Sequence, residues 1–305
     1  MSRIAFIGTG VMGAPMAGHL ARAGHEVHAF NRTYAKAQKA AETYGYKAER
    51  SLAEALKEAD VVFTMAGFPS EVEELYFAPN GILSLARPGA LLIDLTTSTP
   101  ALAEKIAKEG RKRSLLVVDA PVSGGDSGAK AGTLVVMCGG SEEAFDAAKP
   151  YLECFGKSVT RLGEAGFGQH CKACNQICVA GNTAAYSEAM VYAHKVGLDP
   201  SSMFQVISGG AAGSWQIEHM APRALAGDIA PGFFIKHFIK DMRIALSEAE
   251  AKGLKLPMTA TVLQLYENLA AEGKGDLGTQ ALFEEYKSWN RLPKPFPLKL
   301  KNTLK

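Results

Sequence analysis

A glycine fingerprint near the N-terminus constrains the fold of this chain more than any other feature. The apolar run Ile4 to Ile7 is typical of a short buried strand, and Gly8-x-Gly10-x-x-Gly13 follows it directly. Apolar side chains then recur at helical spacing. In such a strand–turn–helix unit, Gly8 permits the tight turn, Gly10 lets a pyrophosphate approach the backbone, and Gly13 lets helix and strand pack closely. The pattern predicts a dinucleotide site at a helix N-terminus.

The end of the next predicted strand indicates which dinucleotide is bound. Glu26 to Phe30 forms this strand, and Asn31, Arg32 and Thr33 follow it. NAD-binding domains usually place Asp or Glu here, to bond the ribose hydroxyls. Asn31 does not repel a 2′-phosphate, and the Arg32 guanidinium can pair with one bidentately. The sequence therefore favours NADP(H) over NAD(H), with an ordinary surface Asn-Arg turn as the alternative.

Composition limits the classes of partner. At 305 residues the chain is long enough for two domains, and its 47% hydrophobic and 21% charged residues are ordinary for a globular protein. A formal net charge of +2 gives no reason to expect a nucleic acid or an anionic membrane as partner. No apolar run approaches the ~18 residues that a membrane span needs, and we see no signal-peptide pattern. We expect a cytoplasmic protein.

The cysteines do not form a recognisable framework. There are five, an odd number, and three of them lie close together at Cys171, Cys174 and Cys178. This favours a reducing compartment over a secreted disulfide scaffold. Cys171-x-x-Cys174 lies in a helical pattern without a second such pair, so we interpret these residues as small packing side chains and expect no metal site.

Strands and helices alternate over residues 1–163. Further predicted strands are Val61–Met65, Leu91–Leu95, Leu115–Ala120 and Thr133–Cys138. This alternation predicts an α/β domain with a Rossmann-like, doubly wound parallel sheet, whose ligand lies beyond the carboxyl ends of the strands. Met65 and Thr96 lie at such ends and are predicted to contact the cofactor. Thr96 belongs to a polar run that can alternatively cap the helix beginning at Pro100.

One glycine-rich turn within residues 1–163 is a candidate binding loop. Ser123-Gly124-Gly125 follows the Leu115–Ala120 strand and offers a hydroxyl and open backbone N–H groups, which suit a carboxylate or phosphate. By itself it is equally an ordinary glycine-rich turn.

The remaining chain is predicted to be mainly helical. A long helix is predicted from about residue 169 to 196, and residues 177–290 are mostly helical. The basic, proline-interrupted tail from Lys294 is interpreted as a surface or disordered end.

Four motifs resemble the β-hydroxyacid dehydrogenase family, which includes 3-hydroxyisobutyrate dehydrogenase and several semialdehyde reductases. They occur in the family's order over nearly the full chain: Gly8-x-Gly10-x-Met12-Gly13-x-Pro15-Met16, Asp119-Ala120-Pro121-Val122-Ser123-Gly124-Gly125, Gly166-Phe167-Gly168-Gln169-His170-Cys171-Lys172-Ala173-Cys174-Asn175, and Phe238-Ile239-Lys240-Asp241-Met242-Arg243-Ile244-Ala245. The loop after the Val61–Met65 strand departs from the family pattern, because Ala66-Gly67 replaces its usual residues.

The resemblance implies an NADP-binding domain at 1–163 and an all-helical substrate and dimerisation domain at 164–305, joined by the long helix. It implies reversible hydride transfer between a small carboxylate-bearing aldehyde and its hydroxy acid. Its site residues fall into three groups. The catalytic pair is Lys172 and Asn175; the substrate would contact Ser123, Gly124, Gly125 and Lys240; and the cofactor would contact Gly8, Gly10, Val11, Met12, Gly13, Asn31, Arg32, Thr33, Met65, Thr96 and Lys240.

Lys172 also has a physical reading of its own. It lies near the start of the long helix, three residues before Asn175, so the two side chains share a helix face. A lysine at a helix start opposes the helix dipole, and its neighbours are mostly uncharged. We expect burial to lower its pKa towards the range used in acid–base catalysis. A surface lysine is the alternative, and for Lys240 the alternative is an ion pair with Asp241.

Other functions remain open from sequence alone. Imine reductases share the fold, although they usually lack the catalytic lysine, and a non-catalytic NADP(H)-binding sensor would not need Lys172. A decarboxylating sugar-phosphate dehydrogenase would need a basic cluster for the substrate phosphate, which we do not find. Alanine-rich helices and the phenylalanines near Phe233 favour a homodimer or homotetramer.

Overall fold

The computed structural model describes residues 1–292, which divide into two compact units. The first spans Met1–Ala173, and the second begins at Cys174. The division falls inside one long helix, so the domain boundary between residues 163 and 164 stays a prediction. The basic tail from Lys294 lies outside the described residues.

One sheet organises the first unit. Its strands within the described residues are β1 (Arg3–Ile7), β2 (Glu26–Phe30), β3 (Lys47–Glu49), β4 (Val61–Thr64), β5 (Leu91–Asp94), β6 (Leu116–Asp119), β7 (Val122–Ser123), β8 (Leu134–Gly139) and β9 (Gly156–Gly163). They lie in the order β3-β2-β1-β4-β5-β6-β8-β7, with β9 beside β8. The six strands β1 to β6 are parallel to one another, which confirms the predicted Rossmann-like sheet.

Strand β8 departs from the expected direction, since it runs antiparallel to β6 and β7. The connection from β7 to β8 contains only the short helix Gly125–Ala131. A parallel crossover needs a dozen or more residues, whereas an antiparallel return does not. The sheet is therefore mixed at this edge, and β9 pairs parallel to β8.

Helices cover both faces of the sheet. Those of the first unit are α1 (Gly13–Arg22), α2 (Tyr34–Tyr44), α3 (Leu52–Leu56), α4 (Pro69–Phe77), α5 (Ile82–Leu85), α6 (Pro100–Arg111), α7 (Gly125–Ala131) and α8 (Glu142–Leu152). Alternate side chains of β1 enter two separate cores: Ile4 and Phe6 face one, and Ala5 and Ile7 face the other. Burial on both faces explains why these strands are continuous apolar runs in the sequence.

The second unit is helical. It contains most of α9 (Phe167–Lys195), then α10 (Pro200–Ile207), a π-helical turn (Gln216–Met220), α11 (Ala221–Leu225), α12 (Ile235–Ala251), α13 (Pro257–Ala271), a 3₁₀ turn (Thr279–Ala281) and α14 (Leu282–Trp289). Its core packs around Phe238, Tyr266 and Phe283, which are fully buried. This confirms the predicted all-α C-terminal region. Throughout residues 1–292, no helix combines the length and apolar character that crossing a bilayer requires.

The first core depends on a cluster of three phenylalanines. The Phe63 ring is fully buried, stacks on Phe6 at 5.6 Å between centroids, and meets Phe155 edge-on at 6.1 Å. We expect Phe63→Ala to lower the free energy of unfolding by about 3–5 kcal/mol, because a large cavity would remain. Urea denaturation followed by far-UV circular dichroism measures this. Phe68→Ala, at a 36% exposed position, is the control and should cost less than about 1 kcal/mol. Equal effects would contradict the packing described.

Candidate active site

The glycine turn after β1 has the backbone geometry that a dinucleotide pyrophosphate requires. Gly8 has φ +103°, and a Cβ there would lie 2.2 Å from the Met65 carbonyl oxygen. A Cβ at Gly13 would lie 1.9 Å from the Gly8 carbonyl oxygen. Apart from Gly10 itself and its two neighbours in the chain, no heavy atom lies within 4 Å of the Cβ position at Gly10. Glycine is thus required at positions 8 and 13 by close contacts within the protein, whereas Gly10 leaves open space for a ligand.

The start of α1 is chemically suited to the same ligand. The first turn of α1 contains no acidic side chain, so the positive end of its dipole is not neutralised. Val11, on the turn, is half-exposed, while Met12 packs against the first core. The residues present therefore fit the phosphates of a dinucleotide.

Hydrogen bonds connect the loop after β4 to the strand end before this turn and to the loop after β5. The Met65 N–H donates to the Ile7 carbonyl at 2.8 Å, and the Ala66 N–H donates to Thr96 Oγ1 at 2.9 Å. The hydroxyl of Thr96, a residue that is only 1% exposed, therefore connects the two loops. The cap of α6 is instead Thr99, whose hydroxyl accepts from the Leu102 N–H at 3.2 Å. Cofactor contact by Met65 and Thr96 stays a prediction.

The loop after β2 is tied to the glycine turn by Asn31. The Asn31 side-chain oxygen accepts from the Thr9 N–H at 3.3 Å, and its amide nitrogen donates to the Thr33 carbonyl at 3.1 Å. Arg32 is exposed, and its Nη1 lies 3.3 Å from Glu71 Oε1. Sequence reasoning missed Glu71, since only the fold brings α4 beside β2. The sequence offered one signal for Glu71: this residue lies in the first turn of a helix that begins with proline.

Lys172 is buried beside the Ser123-Gly124-Gly125 loop. Its side chain rises from the first turns of α9, and its Nζ donates to the Val122 carbonyl at 2.8 Å. The residue is 7% exposed, which argues against a surface lysine. Gly124 and Gly125 have φ values of +132° and +64°, in the region that favours glycine. Lys172 therefore lies next to this glycine-containing turn.

Two residues that sequence reasoning did not single out hold the start of α9 in place. Asp119 accepts from the Gly166 N–H at 2.8 Å and from the Gln169 N–H at 3.0 Å. The Gln169 side chain donates to the Thr96 carbonyl at 2.8 Å and accepts from the Ser98 N–H at 2.9 Å. Both side chains are buried. The start of the helix that carries Lys172 is thus bonded directly to the end of β6 and to the loop after β5.

In the second unit, Asn175 and Lys240 are connected through two buried side chains. Asn175 Nδ2 donates to Gln176 Oε1 at 2.7 Å, and Gln176 Nε2 donates to Asp241 Oδ2 at 2.6 Å. Lys240 Nζ lies 3.0 Å from Asp241 Oδ1. The ion pair that the sequence offered as an alternative role for Lys240 is therefore present. Roles for Asn175 and Lys240 in binding or catalysis stay predictions.

The cysteines form no disulfide. All five are thiols, and Cys174 and Cys178 are exposed on α9. Within residues 1–292, no three His, Cys, Asp or Glu side chains are grouped so that they could hold a metal ion.

Comparison with known proteins identifies the family. The family model described as the NAD binding domain of 6-phosphogluconate dehydrogenase matches residues 3–163. The model described as NAD-binding of NADP-dependent 3-hydroxyisobutyrate dehydrogenase matches residues 166–286. These matches cover both halves of the chain.

Individual relatives agree. A probable mitochondrial 3-hydroxyisobutyrate dehydrogenase-like protein of Arabidopsis thaliana is 45% identical over 92% of this chain and 84% of its own. The 2-hydroxy-3-oxopropionate reductase of Escherichia coli is 37% identical over 92% of this chain and 96% of its own. The solved Mycobacterium tuberculosis 3-hydroxyisobutyrate dehydrogenase with L-serine is 36% identical, with a TM-score of 0.85 over 94% of this chain and 99% of its own. The chain belongs to the β-hydroxyacid dehydrogenase family and is an oxidoreductase with NAD(P)-binding domains.

The glycine turn yields a direct contrast between two substitutions. Gly10→Ala should leave thermal stability almost unchanged but weaken NADPH binding about tenfold or more, because its methyl group would occupy the space in which a pyrophosphate approaches. Gly13→Ala should lower the melting temperature strongly, since its Cβ would clash with the Gly8 carbonyl. Thermal melts and titration of NADPH fluorescence measure both. Unchanged NADPH affinity in a folded Gly10→Ala protein would contradict this site.

Asp119 should make stability depend on pH. Burial raises its pKa from 3.8 to about 7, while the bonds from Gly166 and Gln169 oppose the shift. Because the folded-state pKa exceeds the unfolded one, the folded protein holds the extra proton between these values. The contribution of protonated Asp119 to the free energy of unfolding is fully present below about pH 3.8 and is lost as the pH rises through 7.

Asp119→Asn removes this titration. Between pH 5 and 7, the free energy of unfolding of the wild type should therefore fall with pH more steeply than that of the variant, by about 1 kcal/mol per pH unit. Urea denaturation at a series of pH values gives both slopes. Equal slopes would show that Asp119 does not titrate in this range.

Proposed function

We propose that the protein catalyses reversible hydride transfer between NADP(H) and a small carboxylate-bearing aldehyde, with the corresponding hydroxy acid as the other reactant. One observation carries the proposal: Lys172 is buried, with its Nζ on the carbonyl of Val122, directly before the Ser123-Gly124-Gly125 loop. A proton-carrying amine thus lies next to backbone suited to a carboxylate. This loop follows β6, and it shares the carboxyl edge of the parallel strands with the glycine turn.

The relatives support the substrate class. The names of the Arabidopsis and Escherichia coli relatives refer to 3-hydroxyisobutyrate and to 2-hydroxy-3-oxopropionate, and the Mycobacterium tuberculosis structure was obtained with L-serine. All three compounds are small carboxylates with an oxygen function near the carboxyl group. A binding loop for the carboxylate and a proton donor for the carbonyl oxygen are what such a substrate needs.

Each residue has a defined role in this proposal. Ser123 and the glycine N–H groups hold the substrate carboxylate. The Lys172 Nζ donates to the Val122 carbonyl at 2.8 Å, which places its ammonium beside the Ser123-Gly124-Gly125 loop and next to the substrate carbonyl oxygen. Lys172 gives that oxygen a proton during reduction and takes it back during oxidation. Asn175 orients the substrate by hydrogen bonds. The bound nicotinamide, when reduced, supplies the hydride.

Three features support NADP(H) as the cofactor. The turn has open backbone space at Gly10, the start of α1 has no acidic side chain, and Arg32 presents an exposed guanidinium at the end of β2. A guanidinium in this position suits a 2′-phosphate. Lys240 is proposed to contact cofactor and substrate, as the family resemblance implies, while its side chain is held by Asp241.

Substitution of Lys172 tests the reaction. With NADPH and a panel of tartronic, succinic and methylmalonic semialdehydes, Lys172→Met should lower kcat by about 10²–10⁴-fold, because general acid–base catalysis is lost. Lys172→Arg should also fail, since arginine keeps the charge but does not release a proton at neutral pH. NADPH affinity should change little in either variant. Loss of NADPH absorbance on turnover provides the measurement.

A surface lysine provides the control. Lys105 is exposed and pairs with Glu73 at 2.6 Å, so Lys105→Met should keep wild-type turnover. Turnover by Lys172→Met that matches this control would remove the lysine from the mechanism. NADPH binding without wild-type turnover on any acid of the panel would count against this substrate class.

A further inference from the structure

We propose that Glu71 sets how strongly the protein discriminates between NADPH and NADH, by competing with the cofactor 2′-phosphate for Arg32. The inference rests on the proposed NADP(H) site. It adds a residue from α4 to a selectivity element that the sequence placed entirely in the loop after β2.

The Glu71 carboxylate is fixed while its arginine partner is exposed. Glu71 Oε2 accepts from the Gly67 N–H at 2.9 Å and from the Phe68 N–H at 3.2 Å, in the loop that leads into α4. Its other oxygen lies 3.3 Å from Arg32 Nη1. The Arg32 side chain is 86% exposed, whereas that of Glu71 is 32% exposed. When the pair opens, the arginine is therefore the partner that moves.

Both partners are held at the glycine turn by their neighbours in the chain. Arg32 follows Asn31, whose side chain accepts from the Thr9 N–H of that turn. The loop that anchors Glu71 begins at Met65, whose N–H donates to the Ile7 carbonyl just before Gly8. The pair therefore lies between the two strand ends that flank the turn, β2 and β4, where an adenosine ribose is expected.

Competition follows from the geometry of guanidinium pairing. An exposed ion pair is weak, so Arg32 can exchange its partner readily. A 2′-phosphate binds a guanidinium best through two parallel N–H bonds, and one terminal nitrogen is already engaged by Glu71. A 2′-phosphate that binds through both terminal nitrogens of Arg32 therefore displaces Glu71 from Nη1, whereas NADH carries a hydroxyl at the same position and leaves the pair intact. Glu71 therefore reduces the preference for NADPH that Arg32 alone would confer.

Binding measurements on Glu71→Gln test the competition. Glutamine keeps an acceptor for the loop N–H groups but removes the charge. We expect NADPH to bind about three- to tenfold more tightly, with NADH affinity unchanged within about twofold. Adenosine 2′,5′-bisphosphate and adenosine 5′-monophosphate serve as cofactor fragments in the same titrations, so the readout does not depend on turnover. Glu73→Gln removes a charge from the same helix, where Glu73 pairs with Lys105, and should alter neither affinity.

Arg32→Gln and the double variant separate the possible outcomes. Arg32→Gln should weaken NADPH binding about tenfold or more; if it does not, the proposed cofactor assignment is wrong. If it does, but Glu71→Gln binds NADPH no more tightly than wild type, the role of Glu71 is wrong and the cofactor assignment stands. In the Arg32→Gln background the gain from Glu71→Gln should fall below about twofold. A gain that persists undiminished would show repulsion by the Glu71 charge alone, and would overturn the competition for Arg32.

Discussion

The site of this protein depends on a buried carboxylate. Asp119 lies at the end of β6 and accepts backbone N–H groups from Gly166 and Gln169, which fix the first turn of α9 against the sheet. Removing a carboxylate from water is costly, and burial raises its pKa to about 7 accordingly. The two hydrogen bonds offset part of this cost.

The position of Lys172 follows from that attachment. Gln169 adds bonds to the loop after β5, and Lys172, three residues along the helix, meets the Val122 carbonyl. The lysine therefore bonds to the segment that follows β6, and Gln169 bonds to the loop after β5, at the edge where α/β proteins bind their ligands. In the proposed function, the protein positions Lys172 as a proton donor at this edge, and the dinucleotide supplies the redox chemistry.

Much of the first unit could be predicted from local patterns. Short apolar runs located β1, β4 and β5, because strands buried on both faces must be apolar throughout. The spacing of Gly8, Gly10 and Gly13 predicted a separate backbone role for each, and the structure shows crowding at Gly8 and Gly13 and open space at Gly10. The direction of β8 was not predicted, since strand direction depends on pairing partners rather than on local composition. Gln169 and Glu71 were missed for a similar reason: a polar residue near a helix start is usually only a cap or a solvated side chain.

By itself, the sequence determined the class of protein: a Rossmann-like domain followed by helices, with a glycine turn for a dinucleotide and a lysine at the start of a long helix. These features depend on residue type and spacing within short segments. Only the tertiary structure decided that Lys172 is buried on the Val122 carbonyl, that Gln169 bridges two loops, and that Glu71 faces Arg32. Each of these contacts joins residues far apart in the chain, so its existence depends on how strands are ordered in the sheet, which no local pattern encodes.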